Sequence, residues 1–201
     1  NSVVWNKIFS REFIERYQLR FIEGALAEDA IFSIYCYTHA QKGYYISDVV
    51  YNYRQNENNS SISTNCSREY FSRINDSYKM LYDIFKETNE LGFFRYFYAR
   101  ITPYLLCKIV DTDKLEKEED MKETLQELRW YFCLKRQHQV VILNPYLNAI
   151  IDDIMEEQYT KAIEEIKKTR QYRDTLTDLQ KERMYSPSEE LYAKMSEIEE
   201  S

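Results

Sequence analysis

Two carboxylates stand side by side at Glu28-Asp29, at the mouth of an apolar run. Ile31, Ile34, Tyr35 and Thr38 follow at helical spacing until Gly43, which puts the pair in the first turn of a helix. Acids there meet unpaired backbone N–H groups and the positive end of the helix dipole, so spacing alone favours a cap over catalysis. Other candidates are weaker. Asp111-Thr112-Asp113 has the look of an aspartate pair for a metal, but it follows a helix rather than a buried strand, and Asp113 suits the cap of the next helix. His138 has no second ligand at metal spacing and reads as a surface residue beside Lys135 and Arg136. Cys36, Cys66, Cys107 and Cys133 form no close pair, which argues against a zinc site or a disulfide framework and for reduced, mostly buried thiols.

The elements that must position Glu28-Asp29 come just before and after it. Ser10 opens a short helix ending near Tyr17, and Leu19-Arg20-Phe21-Ile22 leads to Gly24, where a positive φ suits a turn delivering Asp29 to a fixed place. The helix from Glu28 to about Gln41 is apolar around much of its circumference and is expected to be buried on more than one side. Gly43–Ile46 and Val49–Tyr53 are β-prone and predict a short hairpin, which would complete or flank a larger sheet because a two-stranded ribbon is marginal alone. Gln55–Thr64 is a polar loop.

Beyond Ser67 the pattern is helical throughout. One amphipathic helix runs through Tyr70, Phe71, Ile74, Tyr78, Leu81 and Phe85, and a break at 89–92 separates it from an aromatic helix, Phe93 to Ile109, that bends at Pro103. A third spans about Lys117–Arg136. Asn144-Pro145 then caps either one long helix or two nearly continuous ones reaching Met184, and a short acidic piece, Glu189–Glu200, closes the chain. The apolar stripe of the long helix wants a partner, which could be the final helix or another protomer.

Several stretches, taken together and in order, resemble the latter half of bacterial family-2 glycosyltransferases. They are Trp5-Asn6-Lys7-Ile8-Phe9, Arg11-Glu12-Phe13, Leu19-Arg20-Phe21-Ile22-Glu23-Gly24, Glu28-Asp29-Ala30-Ile31-Phe32, and Tyr51-Asn52-Tyr53-Arg54-Gln55 with Ser60-Ser61-Ile62-Ser63. The resemblance covers roughly the first third of the chain. It implies an inverting, nucleotide-sugar-dependent enzyme of the α/β GT-A fold, building surface polysaccharide in the cytoplasm or at the inner face of the membrane. Its nucleotide-binding half, with the sheet and the aspartate motif that holds Mn2+ or Mg2+, would precede Asn1. The apolar start Val3-Val4-Trp5 fits a chain cut from something longer.

On that likeness Asp29 is the base that takes the proton of the acceptor hydroxyl, and Arg54 pairs with a donor phosphate. Glu28, Lys7 and Trp5 become acceptor-binding or supporting residues, with Lys7 either orienting the acidic loop or simply laying its stem over an aromatic ring. Trp5 read without the likeness is a core anchor.

The 201 residues, 44% hydrophobic with 19 tyrosines, suffice for a sizeable core and argue against disorder. A net charge of −7 argues against a broad nucleic-acid surface. The expected architecture is mainly α: residues 1–66 form the acceptor side of a catalytic domain, including the hairpin, and residues 67–201 form a helical bundle extension. The competing expectation is a non-catalytic helical module for protein interaction or homo-oligomerisation through the C-terminal helices.

Overall fold

The computed structural model describes residues 3–49, 51–52, 66–142 and 144–176. Seven helices account for most of them: α1 (Arg11–Arg16), α2 (Glu28–His39), α3 (Arg68–Glu87), α4 (Leu91–Asp111), α5 (Glu118–Gln137), α6 (Pro145–Met155) and α7 (Tyr159–Asp174). The described residues contain no strand. The hairpin expected over Gly43–Tyr53 is not formed among them: Gly43–Val49 runs without regular structure, and Tyr44 and Tyr45 are each 92% exposed. β-prone residues need a neighbouring edge to satisfy their backbone, and the described residues supply none; Val50 and Tyr53 of the expected hairpin lie outside them. Arg54, the Gln55–Thr64 loop and the Glu189–Glu200 piece lie outside the described residues.

The contacts gather into two units. The first draws on Asn1–Asn65 and Glu69–Phe94. In it Leu19, Phe32 and Cys36 make a small core against which Phe9, Phe13, Ile14, Tyr17 and Tyr35 pack. Phe32 takes Phe21 face to face at 4.3 Å and Phe9 edge-on at 5.4 Å. On α3, Phe71, Ile74, Tyr78, Leu81 and Phe85 are buried at alternating spacings of three and four, the stripe expected of a helix with one face in a core. Trp5, by contrast, is no core anchor. It is 42% exposed and stacks on Tyr51 at 4.7 Å, because the segment around it, Asn6 and Ile8 included, runs along the surface.

The second unit comprises Cys66–Arg68 and residues from Arg95 onward. Here α5, α6 and α7 pack on one another. Asn144 caps α6 as expected, its side chain accepting from the N–H groups of Tyr146 at 3.0 Å and Leu147 at 3.1 Å, with Pro145 at the first helical position. Inside, Tyr98 of α4 donates to the Tyr131 carbonyl at 3.1 Å, and the Thr102 and Tyr131 hydroxyls lie 2.8 Å apart. Arg170 of α7 donates to the carbonyls of Val110 (2.6 Å) and Thr112 (2.9 Å), satisfying the end of α4. His138 is buried, contrary to the expected surface role, because it closes the end of α5, donating its N–H to Leu134 O at 2.9 Å; burial and the charge of Arg95 lower its pKa. No helix among the described residues is long and apolar enough to cross a membrane.

With three glycines in the chain, helix endings fall to other residues. Gln18, Asn89, Gln139 and Glu157 all have φ between 52° and 60°, each just past the end of a helix. The next N–H then reaches back five residues, as in Leu19 to Ile14 (3.0 Å), Glu90 to Phe85 (2.9 Å), Val140 to Lys135 (2.9 Å) and Gln158 to Asp153 (2.8 Å). The last of these separates α6 from α7, so the described part of the stretch after Pro145 is two helices. A side chain in the left-handed region costs about 1–2 kcal/mol, less for Asn. Replacing exposed Gln139 with Gly is therefore expected to stabilise the protein by about 1 kcal/mol in a urea titration, while Asn89→Gly changes little; equal effects at both positions would contradict this account of the helix ends.

Candidate functional site

The approach to α2 is built from local backbone constraints. Gly24 takes φ +77°, as a turn before the acidic pair requires, and its carbonyl accepts from Arg73 of α3 at 3.0 Å. Ala27 then occupies the N-cap position with φ 57° and no side chain able to cap. Glu28 and Asp29 follow in the first turn, and Asp29 Oδ1 accepts the Ala30 N–H at 2.8 Å. The acid two places into the helix thus does what a Ser or Asp at the cap would ordinarily do.

Asp29 is half-buried, whereas Glu28 is exposed. Burial raises the Asp29 pKa above the ordinary carboxylate value; the Ala30 N–H opposes the rise, Glu28 adds to it, and Lys7 opposes it. The competition that the sequence leaves open is thereby ranked: desolvation outweighs the helix start. Lys7 is half-buried as well, and burial lowers its pKa against the pull of Asp29. Its ammonium donates to Asn6 Oδ1 at 2.8 Å and to the Val3 carbonyl, and lies 5.9 Å from the centre of the Tyr37 ring. A base with a raised pKa and a lysine electrostatically coupled to it can take a proton and steady the resulting charge pattern.

Of the residues singled out in the sequence, the structure brings Asp29, Glu28 and Lys7 into one electrostatic neighbourhood. Trp5 belongs to the same segment as Lys7 but faces Tyr51. Arg54 is not among the described residues. Three contributors were not legible. Tyr37 lies eight residues after Asp29, just over two turns along α2, a spacing that could have placed it on the Asp29 side. Arg73 supports Gly24 from 49 residues away, and Tyr51 covers Trp5 from 46 positions on; neither contact leaves a local signal. His39, also in α2, sits at the opposite end against Tyr17 and Tyr35 and takes no part.

Among the described residues no group of three or more His, Cys, Asp or Glu is placed to hold a metal ion. Cys36, Cys66 and Cys107 are buried free thiols and Cys133 is partly buried; burial pushes the Cys36 pKa up to about 11, so it stays protonated at neutral pH. No protein-family model matches this chain, and neither the curated proteins nor the solved structures give a match.

Because the folded-state pKa of Asp29 lies above its ordinary 3.8, folding takes up a proton between the two values. The stability this supplies is full below 3.8 and is lost as pH rises through the raised value. Asp29→Asn is accordingly expected to shift stability by no more than about 1 kcal/mol at pH 7. Wild type should gain on the variant as the solution is acidified from neutral to pH 4, measured by urea titration at each pH; a gain in the opposite direction would mean that Asp29 is not desolvated as described.

Proposed function

We propose that this chain is the acceptor-side part of an inverting glycosyltransferase, transferring a sugar from a nucleotide-sugar donor to a saccharide or lipid-linked acceptor in surface polysaccharide synthesis. The observation that carries the reading is the Asp29 carboxylate: fixed to the Ala30 N–H, half-buried, and raised in basicity beside Lys7. In the proposed step the acceptor hydroxyl gives its proton to the Asp29 carboxylate as its own oxygen bonds to the anomeric carbon. The bond from that carbon to the donor diphosphate breaks on the opposite face, and its electron pair leaves with the phosphate oxygen. Position matters more than basicity here, since holding the reactants in line removes most of the entropic cost.

Arg54 is assigned to a donor phosphate, and Glu28, Lys7 and Trp5 to acceptor binding or support. A divalent cation would neutralise the leaving diphosphate. The likeness to family-2 enzymes would place its ligands, like the GT-A sheet, in the nucleotide-binding half of such an enzyme. Tyr44, Tyr45 and Val49, 92%, 92% and 83% exposed, present apolar area that the sheet of a nucleotide-binding half would cover. The hairpin belongs to the proposal in this sense, formed only against that sheet.

The rival reading, a helical interaction or oligomerisation module, draws on Tyr146 and Tyr172, which stack at 5.7 Å between α6 and α7 and remain half exposed. Transfer assays on the full-length protein with a nucleotide-sugar panel separate the two. Asp29→Asn is expected to lower kcat by roughly 10²–10⁴-fold with donor binding and folding retained; unchanged turnover removes Asp29 from the role of base, and no transfer by wild type from any donor favours the interaction module.

A further inference from the structure

The outward side of α4 differs in character from the rest of this acidic chain. Between Leu91 and Val110 the helix carries Arg95, Arg100 and Lys108 and no acid; its single carboxylate, Asp111, stands at the very end and pairs with Arg173. At about 100° per residue, Tyr96, Arg100, Tyr104 and Lys108 wind along one ridge, with Phe97 and Ile101 on its flank, all within a sector of about 140°. Every one of these six is exposed or partly exposed, Tyr104 at 49%. Aromatic and basic groups are paired along the ridge: Arg100 donates to the Tyr96 hydroxyl at 3.4 Å, and the Lys108 ammonium lies 5.2 Å from the centre of the Tyr104 ring. The opposite side is buried through Tyr98, Thr102, Leu105, Leu106 and Ile109, so the ridge is held rigidly.

We propose that this ridge docks on the surface of an anionic phospholipid bilayer. The chemistry of the side chains selects that partner. Tyrosine puts an apolar ring at the level of the headgroups while its hydroxyl stays wet, and the long stems of Arg and Lys lie along apolar surface with the charge reaching phosphate. The apolar side of α4 stays in the core, so the contact is made by the ridge alone, at the level of the headgroups. The overall charge of −7 opposes approach from a distance, but at physiological salt it is screened beyond roughly 8 Å, leaving the local charge of the ridge to act. The same overall charge argues against an extended nucleic-acid site, which needs many phosphate contacts rather than two. With two basic residues and a few rings, attachment is weak and reversible. It holds whether or not the chain transfers sugar.

Cosedimentation of the protein with vesicles of phosphatidylcholine alone, or of equal parts phosphatidylcholine and phosphatidylglycerol, tests this. Binding is expected only to the mixed vesicles and to fall with added salt. The Arg100→Gln/Lys108→Gln variant should lose about thirtyfold in partition, roughly fivefold for each basic residue removed. Tyr104→Ser should weaken binding while keeping the salt dependence. These positions are exposed, and an unchanged far-UV circular dichroism spectrum verifies that each variant folds. Lys167→Gln/Lys168→Gln, which removes equal charge from α7, should bind as wild type. The proposal is overturned by equal binding to both vesicle types, by no binding to either, or by equal loss in the α7 variant. It is equally overturned if the ridge variant loses retention of an oligonucleotide or an acidic protein instead of vesicles.

Discussion

The desolvation of one carboxylate at the start of α2 is the constraint on which the rest depends. A first-turn acid left in water would be a stabilised anion and a poor base. Half-buried, Asp29 has its pKa raised by burial, and the local backbone fixes where the helix that carries it begins. Gly24 turns the chain with a positive φ, Arg73 holds the carbonyl of that turn, and Ala27 enters the helix without a capping group, which leaves the Ala30 N–H to Asp29. Lys7 approaches along the N-terminal segment, and its own pKa falls for the same reason, burial.

Rigidity behind the site comes from aromatic packing rather than from charge. Phe32, one turn beyond Asp29 on α2, is held between Phe21 and Phe9, and these residues anchor both the approach to the turn and the segment carrying Lys7. Ion pairs such as Arg11 with Glu15 and Lys79 with Asp76 lie between exposed groups, and each contributes little. Helix ends in the second unit rely on arginines instead: Arg170 on the carbonyls closing α4, and Arg129 on Met155 O at 3.0 Å closing α6. A planar donor reaching two acceptors suits carbonyls that a helix leaves without partners.

Much of the helical architecture was legible in the sequence, because apolar spacing is a strong signal in long amphipathic segments. The stripe through Phe71, Ile74, Tyr78, Leu81 and Phe85 and the cap at Asn144-Pro145 appear where the pattern puts them. Boundaries carried by Gln18, Gln139 and Glu157 were less legible, since a left-handed residue that is neither Gly nor Asn has no compositional mark. The strand-like composition of Gly43–Val49 meets no strand among the described residues: β propensity reports fitness for a pleated surface beside a partner, and the described residues supply no partner edge. At the site, the acidic pair and Lys7 could be found from residue type and order. Tyr51 and Arg73 could not, because their contacts join positions more than forty residues apart.

The most direct test of the central claim is a crystal structure of the protein with a non-hydrolysable nucleotide-sugar and a saccharide acceptor bound. The account predicts the acceptor hydroxyl within about 2.6–3.2 Å of the Asp29 oxygen not engaged by Ala30, opposite the leaving phosphate across the anomeric carbon. An acceptor seated with another residue at its nucleophilic hydroxyl, and Asp29 bonded only to the backbone of α2, would contradict it.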